Sequence, residues 1–247
     1  MEGFNPFSLE GKVVLVTGAS SGIGRGIAVA CSKMGAAVVI NGRNEQELNE
    51  TLTQMNGDGH TIQTGDLTDS ESVAALVKQL PKLDGVVHCA GIGDRVLCKN
   101  VTEGDVDRIM NVNFKAPVML QTEIIRQKKI NKAGSIVFVA SIANDSPTVG
   151  NAVYAASKGA IIGYAKCLQL ELAPRQIRVN CISPAMVWTD LIIKGGVTEE
   201  ELREDEQKYP LKRYGKPEDI ANLAIYLLSD ASVWMTGSNV KITGGAN

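Results

Sequence analysis

A β-branched apolar run, Lys12 to Thr17 (KVVLVT), passes without a gap into Gly18-Ala-Ser20-Ser21-Gly22-Ile23-Gly24 and then into a helical pattern over Arg25 to Met34. An apolar run without polar alternation marks a strand buried on both faces, and such strands belong to parallel sheets with helical crossovers. Gly35 closes the helix, and Ala37 to Ile40 (AVVI) is a second buried strand. The unit is βαβ with a glycine-rich first turn. In that setting the amides and dipole of a helix N-terminus meet a dinucleotide pyrophosphate. Gly18 permits the tight turn, and Gly22 and Gly24 let phosphate and strand come close to the helix. The spacing is G-x-x-x-G-x-G and not G-x-G-x-x-G, so on this segment alone a plain glycine-rich turn stays open.

The alternation continues along the chain. His60 to Gly65 reads as a third strand, ending at Asp66-Leu67, where an adenine ring could lie against the backbone. A helix over Ser70 to Leu80 carries Val73, Leu76, Val77 and Leu80 on one stripe. Leu83 to His88 is a fourth strand and runs into Cys89-Ala90-Gly91, small residues that suit close cofactor approach. Glu103 to Lys129 has helical periodicity interrupted around Asn111 to Pro117, where asparagines and a proline predict a local break that frees carbonyls for water. Ala133 to Ala140, Ile177 to Ile182 and Asn239 to Ile242 complete seven strands. The pattern predicts an α/β fold in one domain over residues 1–247, a doubly wound parallel sheet with ligand across its carboxyl edge.

The second strand ends Ile40-Asn41-Gly42-Arg43. An acid about 20 residues beyond the glycine turn would hold the adenosine ribose of NAD. Gly42 stands near that place and Arg43 follows, and a guanidinium suits a 2′-phosphate. The reading is NADP (NADPH) in preference to NAD; the other reading of Arg43 is surface decoration of the next helix, Glu45 to Met55.

Tyr154-Ala-Ala-Ser-Lys158 sets a phenol and an ammonium one helical turn apart on one face. Ser141 lies thirteen positions earlier, where the strand ending at Ala140 gives way to a loop. The grouping gathers a hydroxyl donor, a proton donor and a cation. Alone, a Tyr-x-x-x-Lys pair is compatible with any exposed helix.

Composition narrows the function classes. At 247 residues with 44% hydrophobic and 21% charged content, the chain is long enough for a sizeable core. Net charge is −2 without a basic run, which argues against nucleic acid as partner. No apolar run approaches the ~18 residues of a membrane span. The opening MEGFNPFSLEGK lacks the apolar stretch of a signal peptide. Five cysteines without CxxC spacing read as buried reduced thiols, and no cluster suggests a metal, so a cytoplasmic setting is expected.

Together these residues resemble the short-chain dehydrogenase/reductase family along nearly the whole chain. The matching pieces are Thr17 to Gly24, Asp66, Ala90-Gly91, Asn113, Ser141, Tyr154 with Lys158, Pro184 to Thr189, and the tail PEDIANLAIYLLSD…TGSNVKITGG. Within the family the likeness is to 3-oxoacyl-(acyl-carrier-protein) reductases. The resemblance implies a Rossmann-like three-layer sandwich with a seven-stranded sheet, and a catalytic tetrad of Asn113, Ser141, Tyr154 and Lys158. It implies cofactor contacts from Gly18, Ser20, Ser21, Gly22, Ile23, Gly24, Arg43, Asp66, Leu67, Cys89, Ala90, Gly91, Tyr154, Lys158, Pro184, Val187 and Thr189. Departures stand at Cys89 (usually asparagine), Ala185 (usually glycine) and Thr243 (usually aspartate), and none touches the tetrad.

The implied chemistry is reduction of a ketone by hydride from the nicotinamide, with Tyr154 as general acid and Ser141 bonding the substrate oxygen. A phenol in water keeps its proton until about pH 10, and a neighbouring cation such as Lys158 eases its release. By the same resemblance Lys158 holds the nicotinamide ribose, Asn113 holds a water that refills the proton, and Thr189 contacts the carboxamide. The substrate is expected to be a 3-oxoacyl thioester, with a sugar, polyol or other small alcohol as the alternative, and a non-catalytic dinucleotide-binding scaffold as the reading from another class. Arg126, Lys128, Lys129 and Arg175 would either dock an acyl carrier protein or be ordinary solvated charges. Asp190 to Tyr209, with Gly195-Gly196 and the acidic helix TEEELREDEQ, would form a mobile flap or a solvated surface helix. A homotetramer is the family expectation.

Overall fold

The structure, a computed structural model, describes residues 5–193 and 197–246. Strands β1 (Val13–Thr17), β2 (Ala37–Gly42), β3 (Thr61–Thr64), β4 (Leu83–His88), β5 (Ile130–Val139), β6 (Arg178–Pro184) and β7 (Asn239–Ile242) form one sheet in the order β3-β2-β1-β4-β5-β6-β7. Every pairing is parallel. The chain moves outward from β1 to β3, returns to lay β4 beside β1, and then moves outward the other way. The switch point therefore falls between β1 and β4, where a crevice opens at the carboxyl edge.

The inner strands are apolar on both faces because both are covered, whereas the edge strands β3 and β7 are polar and partly exposed. Val14, Val16, Val38, Ile40, Val137 and Val139 pack with α1 (Gly22–Lys33), α2 (Glu45–Leu52) and a C-terminal helix, α9 (Pro217–Leu228). Leu15, Val39, Val86, Ile136 and Phe138 point the other way, toward α3 (Ser70–Gln79), α5 (Ala116–Arg126) and α6 (Ala152–Leu172). Each such side chain contributes roughly 1.5–3 kcal/mol by leaving water, so the two apolar layers are the main source of cohesion. This is the Rossmann-like three-layer sandwich. Among the described residues no helix is long and apolar enough to cross a membrane.

Several boundaries differ from expectation, each for a local reason. The first helix begins at Gly22 and not at Arg25, so two glycines lie in its opening turn. β5 begins at Ile130, three residues early, because the Leu83 amide donates to Lys129 O at 2.7 Å and starts the pairing sooner. The break expected at Asn111 to Pro117 is a π-helical turn (Asn111–Lys115) joining α4 (Glu103–Met110) to α5 without interruption. In an α-helix the amide of residue 117 would serve the Asn113 carbonyl, and proline has none. The wider turn lets Ala116 N–H reach Asn111 O, five residues back. Of the cysteines, Cys31 and Cys181 are buried as expected, but Cys98 and Cys167 are exposed. Cys167 falls on the outer stripe of α6, with Gly163, Lys166 and Leu170.

Candidate active site

The carboxyl ends of β1, β4, β5 and β6 open into a cleft of about 1070 Å³. Gly18, Ser20 to Gly24, Arg43, Asp66, Leu67, Cys89 to Gly91, Ser141, Tyr154, Lys158, Pro184, Val187 and Thr189 all line it. Asn113 does not. Its side chain is buried behind the wall, where Oδ1 accepts from Ile92 N at 2.8 Å and Nδ2 donates to Ile92 O at 2.9 Å and to Ser157 Oγ at 3.1 Å. Ser157 Oγ donates in turn to Tyr154 O at 2.7 Å. Asn113 thus ties the loop after β4 to the helix that carries the tyrosine, and both of its amide donors are used in doing so.

Tyr154 and Lys158 share the cleft face of α6. Lys158 Nζ lies 5.8 Å from the centre of the Tyr154 ring and donates to Val139 O at 3.0 Å. An ammonium has three N–H bonds, so two remain for the cleft. Ser141 leaves β5 in extended backbone, and its Oγ accepts from Ala143 N at 3.1 Å. That bond occupies a lone pair and leaves the hydroxyl proton to donate. A Cβ on Gly91 would stand 3.3 Å from Lys158 Nζ and 3.2 Å from Asn113 Oδ1, so a larger residue there would crowd both side chains.

The donor set fits a dinucleotide. Ser21 precedes α1 and makes no side-chain cap, and no acid occupies the first turn. By contrast Asn44, Asp69 and Thr102 cap α2, α3 and α4. The opening amides of α1 and its dipole therefore face the cleft without a competing side chain. Thr189 closes the other side, its Cγ2 lying 3.1 Å from where a Cβ on Gly22 would be. Thr17, given no role by sequence, holds this corner together: its Oγ1 accepts from Cys89 N at 3.1 Å and Ala90 N at 3.2 Å. A hydroxyl at the last position of an otherwise apolar strand was the available signal.

At the far end Arg43 is exposed and forms no ion pair with any described residue. The Asp66 carboxylate is turned onto Thr68, whose amide and hydroxyl hold it below the usual carboxylate range. Among the described residues no group of three His, Cys, Asp or Glu side chains converges as a metal site.

The acidic segment is not a free surface helix. Past α7 (Asp190–Ile193), α8 (Glu199–Glu206) buries Leu202, and Trp188 Nε1 donates to Glu206 Oε2 at 2.8 Å. Arg203 lies over the Trp188 ring at 5.1 Å, and Tyr214 Oη donates to Asp205 at 2.7 Å. Gly195 and Gly196, named as part of the flap, lie outside the described residues. Half of the basic group is engaged: Lys129 Nζ donates to Leu80 O at 2.6 Å and Arg175 to Ile130 O at 2.6 Å, while Arg126 is exposed and lies 3.8 Å from Glu123. The group sits at the amino ends of β4, β5 and β6, the end of the sheet opposite Tyr154.

Behind the cleft His88 is buried, pairs with Gln121 at 2.9 Å and stacks on Phe138 at 4.6 Å. Burial pushes its imidazole down to about 4, against 6.5 in an open chain. Above pH 6.5 the group is neutral in both states and costs nothing. As pH falls from 6.5 to 4 the unfolded chain takes a proton that the fold refuses, so stability drops, by about 3 kcal/mol at the lower limit. Urea unfolding between pH 7 and 4 should show this decline in the wild type and a shallower one in His88→Asn; parallel curves would remove His88 as the cause.

A family model described as enoyl-(acyl carrier protein) reductase matches residues 18–247. The 3-oxoacyl-(acyl-carrier-protein) reductase of Rickettsia felis is 38% identical over 96% of this chain and 97% of its own. A dehydrogenase/reductase from Sinorhizobium meliloti superposes with a TM-score of 0.90 at 31% identity, over 98% and 97% of the two chains. A candidate NAD(P)-dependent gluconate 5-dehydrogenase from Beutenbergia cavernae, solved with NADP at low occupancy, superposes at 0.86 with 31% identity over 98% of both.

Proposed function

The chain belongs to the short-chain dehydrogenase/reductase family of oxidoreductases, and on that premise we propose that it reduces the ketone of a 3-oxoacyl thioester with NADPH, through Ser141, Tyr154 and Lys158. The observation that carries the reading is the meeting of those three side chains with the uncapped start of α1 in one cleft. A bound nicotinamide dinucleotide supplies hydride to the carbonyl carbon.

The chain's own residues manage the oxygen. As that atom gains charge, Ser141 Oγ donates to it with a proton left available by the Ala143 bond. Tyr154 Oη gives it the proton that completes the alcohol. Lys158 Nζ stands 5.8 Å from the centre of the phenol ring, and its remaining N–H bonds suit a ribose hydroxyl. Asn113 is a positioning residue: its bonds to Ile92 and Ser157 fix the floor and the helix against each other. Amides of α1 hold the pyrophosphate, and Arg43 the adenosine 2′-phosphate.

The thioester is favoured by the relative from Rickettsia felis and its share of both chains. A polar substrate end, with Ser146, Thr148 and Asn151 on the cleft wall, supports a sugar acid or polyol as second reading. Assay of NADPH and NADH oxidation with an acetoacetyl thioester, a crotonyl thioester and a panel of oxo sugars separates the readings. Reduction of the acetoacetyl thioester with NADPH is the expected result. Turnover confined to an oxo sugar or to the crotonyl thioester overturns the substrate, and none at all favours a non-catalytic binder. In Arg43→Ser the preference for NADPH over NADH should fall about 10–100-fold, the worth of one charge-assisted contact. An unchanged preference would take the 2′-phosphate away from Arg43.

A further inference from the structure

Among the described residues three basic side chains line the cleft: Lys158, Arg43 and Arg95. Only the first two have a place in the chemistry above. Arg95 is exposed on the loop after Gly91, and that loop is tied to the start of α6. Val96 N donates to Gly150 O at 2.9 Å, and the Arg95 Cβ lies 3.6 Å from where a Cβ on Gly150 would be. Gly150 is four residues before Tyr154, so Arg95 rises from the side of the cleft that borders the phenol, not from the adenosine end.

Its guanidinium forms no ion pair or side-chain hydrogen bond with any described residue. Nearby carboxylates have their contact partners elsewhere, although Asp205, held below the usual carboxylate range chiefly by the Tyr214 hydroxyl, also feels the Arg95 charge from beyond contact distance. Asp94 pairs with Arg108, and Asp205 accepts from Tyr214 and pairs with Lys208 at 3.1 Å. Asp190, also on the cleft wall, has a partner of its own. The substrate end therefore carries a positive fork whose charge nothing described here neutralises at contact distance. A planar guanidinium with five donors matches a carboxylate or phosphate in two parallel bonds.

Resting on the reading of this cleft as a carbonyl-reductase site, we infer that Arg95 determines specificity by binding an anionic group of the substrate away from the reacting carbonyl. Two sources offer that chemistry: the phosphate of a phosphopantetheine arm, and the carboxylate of an oxo acid. Either would anchor the substrate at one end while Ser141 and Tyr154 meet its ketone at the other, converting remote binding into orientation.

The test uses two matched pairs, each an anion and its neutral counterpart: acetoacetyl phosphopantetheine beside acetoacetyl pantetheine, and a 5-oxo hexonate beside the corresponding neutral ketose. Binding to the full chain, saturated with oxidised dinucleotide, is measured by calorimetry, and KM and kcat are measured in parallel, for wild type, Arg95→Gln and Arg95→Lys. In one pair the wild type should bind the anion at least about 10-fold tighter, as one charge-assisted contact would give. Arg95→Gln should erase that margin without changing affinity for the neutral member, and Arg95→Lys should restore part of it. The pair that responds identifies the source. An anion preference absent from the wild type, or one that survives in Arg95→Gln, overturns the inference. Binding with the expected margin but no turnover on either ketone would sink the reductase reading and leave the anion site standing.

Discussion

Tyr154→Phe is expected to lower turnover by about 10²–10⁴-fold, the range over which a positioned general acid acts, while dinucleotide affinity stays nearly the same. The substitution removes one oxygen and little else. The ring remains under Lys158, whose 5.8 Å approach and bond to Val139 O do not involve the hydroxyl. The Ser157 contact is to the Tyr154 backbone carbonyl, so the link from Asn113 to α6 persists. No described side chain on this wall stands ready to replace the acid: Ser141 is a poor one, and Lys158 is buried with a bond to the β5 carbonyl. Turnover is read as NADPH oxidation, and binding as quenching or calorimetry on the same preparation. Retained turnover would remove Tyr154 from the chemistry. Loss of both turnover and binding would mean that the hydroxyl builds the cofactor site instead.

How much of this was legible in the sequence depends on the range of the interaction. β1, the glycine turn and the order of elements follow from neighbours within a few residues, and they read correctly from patterning alone. That the helical pattern is irregular at Asn111 to Pro117 was visible for the same reason. Its form was not, because a π-turn and a break leave the same local trace. The bonds of Asn113 to the backbone of Ile92, 21 positions earlier, could not be read, since only the fold brings the two together. For α8 a mobile flap and a solvated helix both stayed open, because its own sequence is acidic with one buried residue, Leu202. The side chains that dock it, Trp188 and Tyr214, come from segments on either side. Two members of the basic group, Lys129 and Arg175, are held by backbone carbonyls that the local sequence did not show. A lysine near β5 looks like free charge until the carbonyls ending α3 close on it, as they do on Lys129.

Gly24→Ala sets two effects of opposite sign against each other. Helix propensity favours alanine by about 1 kcal/mol in a helix interior, and Gly24 lies in the first turn of α1. Packing opposes it. A Cβ there would lie 2.1 Å from Gly18 O and 2.6 Å from Gly18 C, both backbone atoms that cannot rotate aside. Relief would require the Gly18 turn to move away from the helix, toward β4. That path is closed as well: Gly18 holds φ +65°, and a Cβ on it would already lie 2.7 Å from Ala90 Cα. The Ala90 segment is in turn pinned by the Thr17 hydroxyl. The turn is thus held between α1 and the end of β4, and one methyl group must displace a helix, a turn or a strand end. Overpacking of a rigid core costs about 1–3 kcal/mol and more where backbone must shift, so packing wins. Unfolding in urea should show Gly24→Ala less stable by about 3 kcal/mol, and dinucleotide affinity should fall at least about 10-fold as the α1 amides leave register. A variant as stable as the wild type that still binds the dinucleotide would mean the turn has slack, and that the pyrophosphate is not held by close approach of α1 to the sheet.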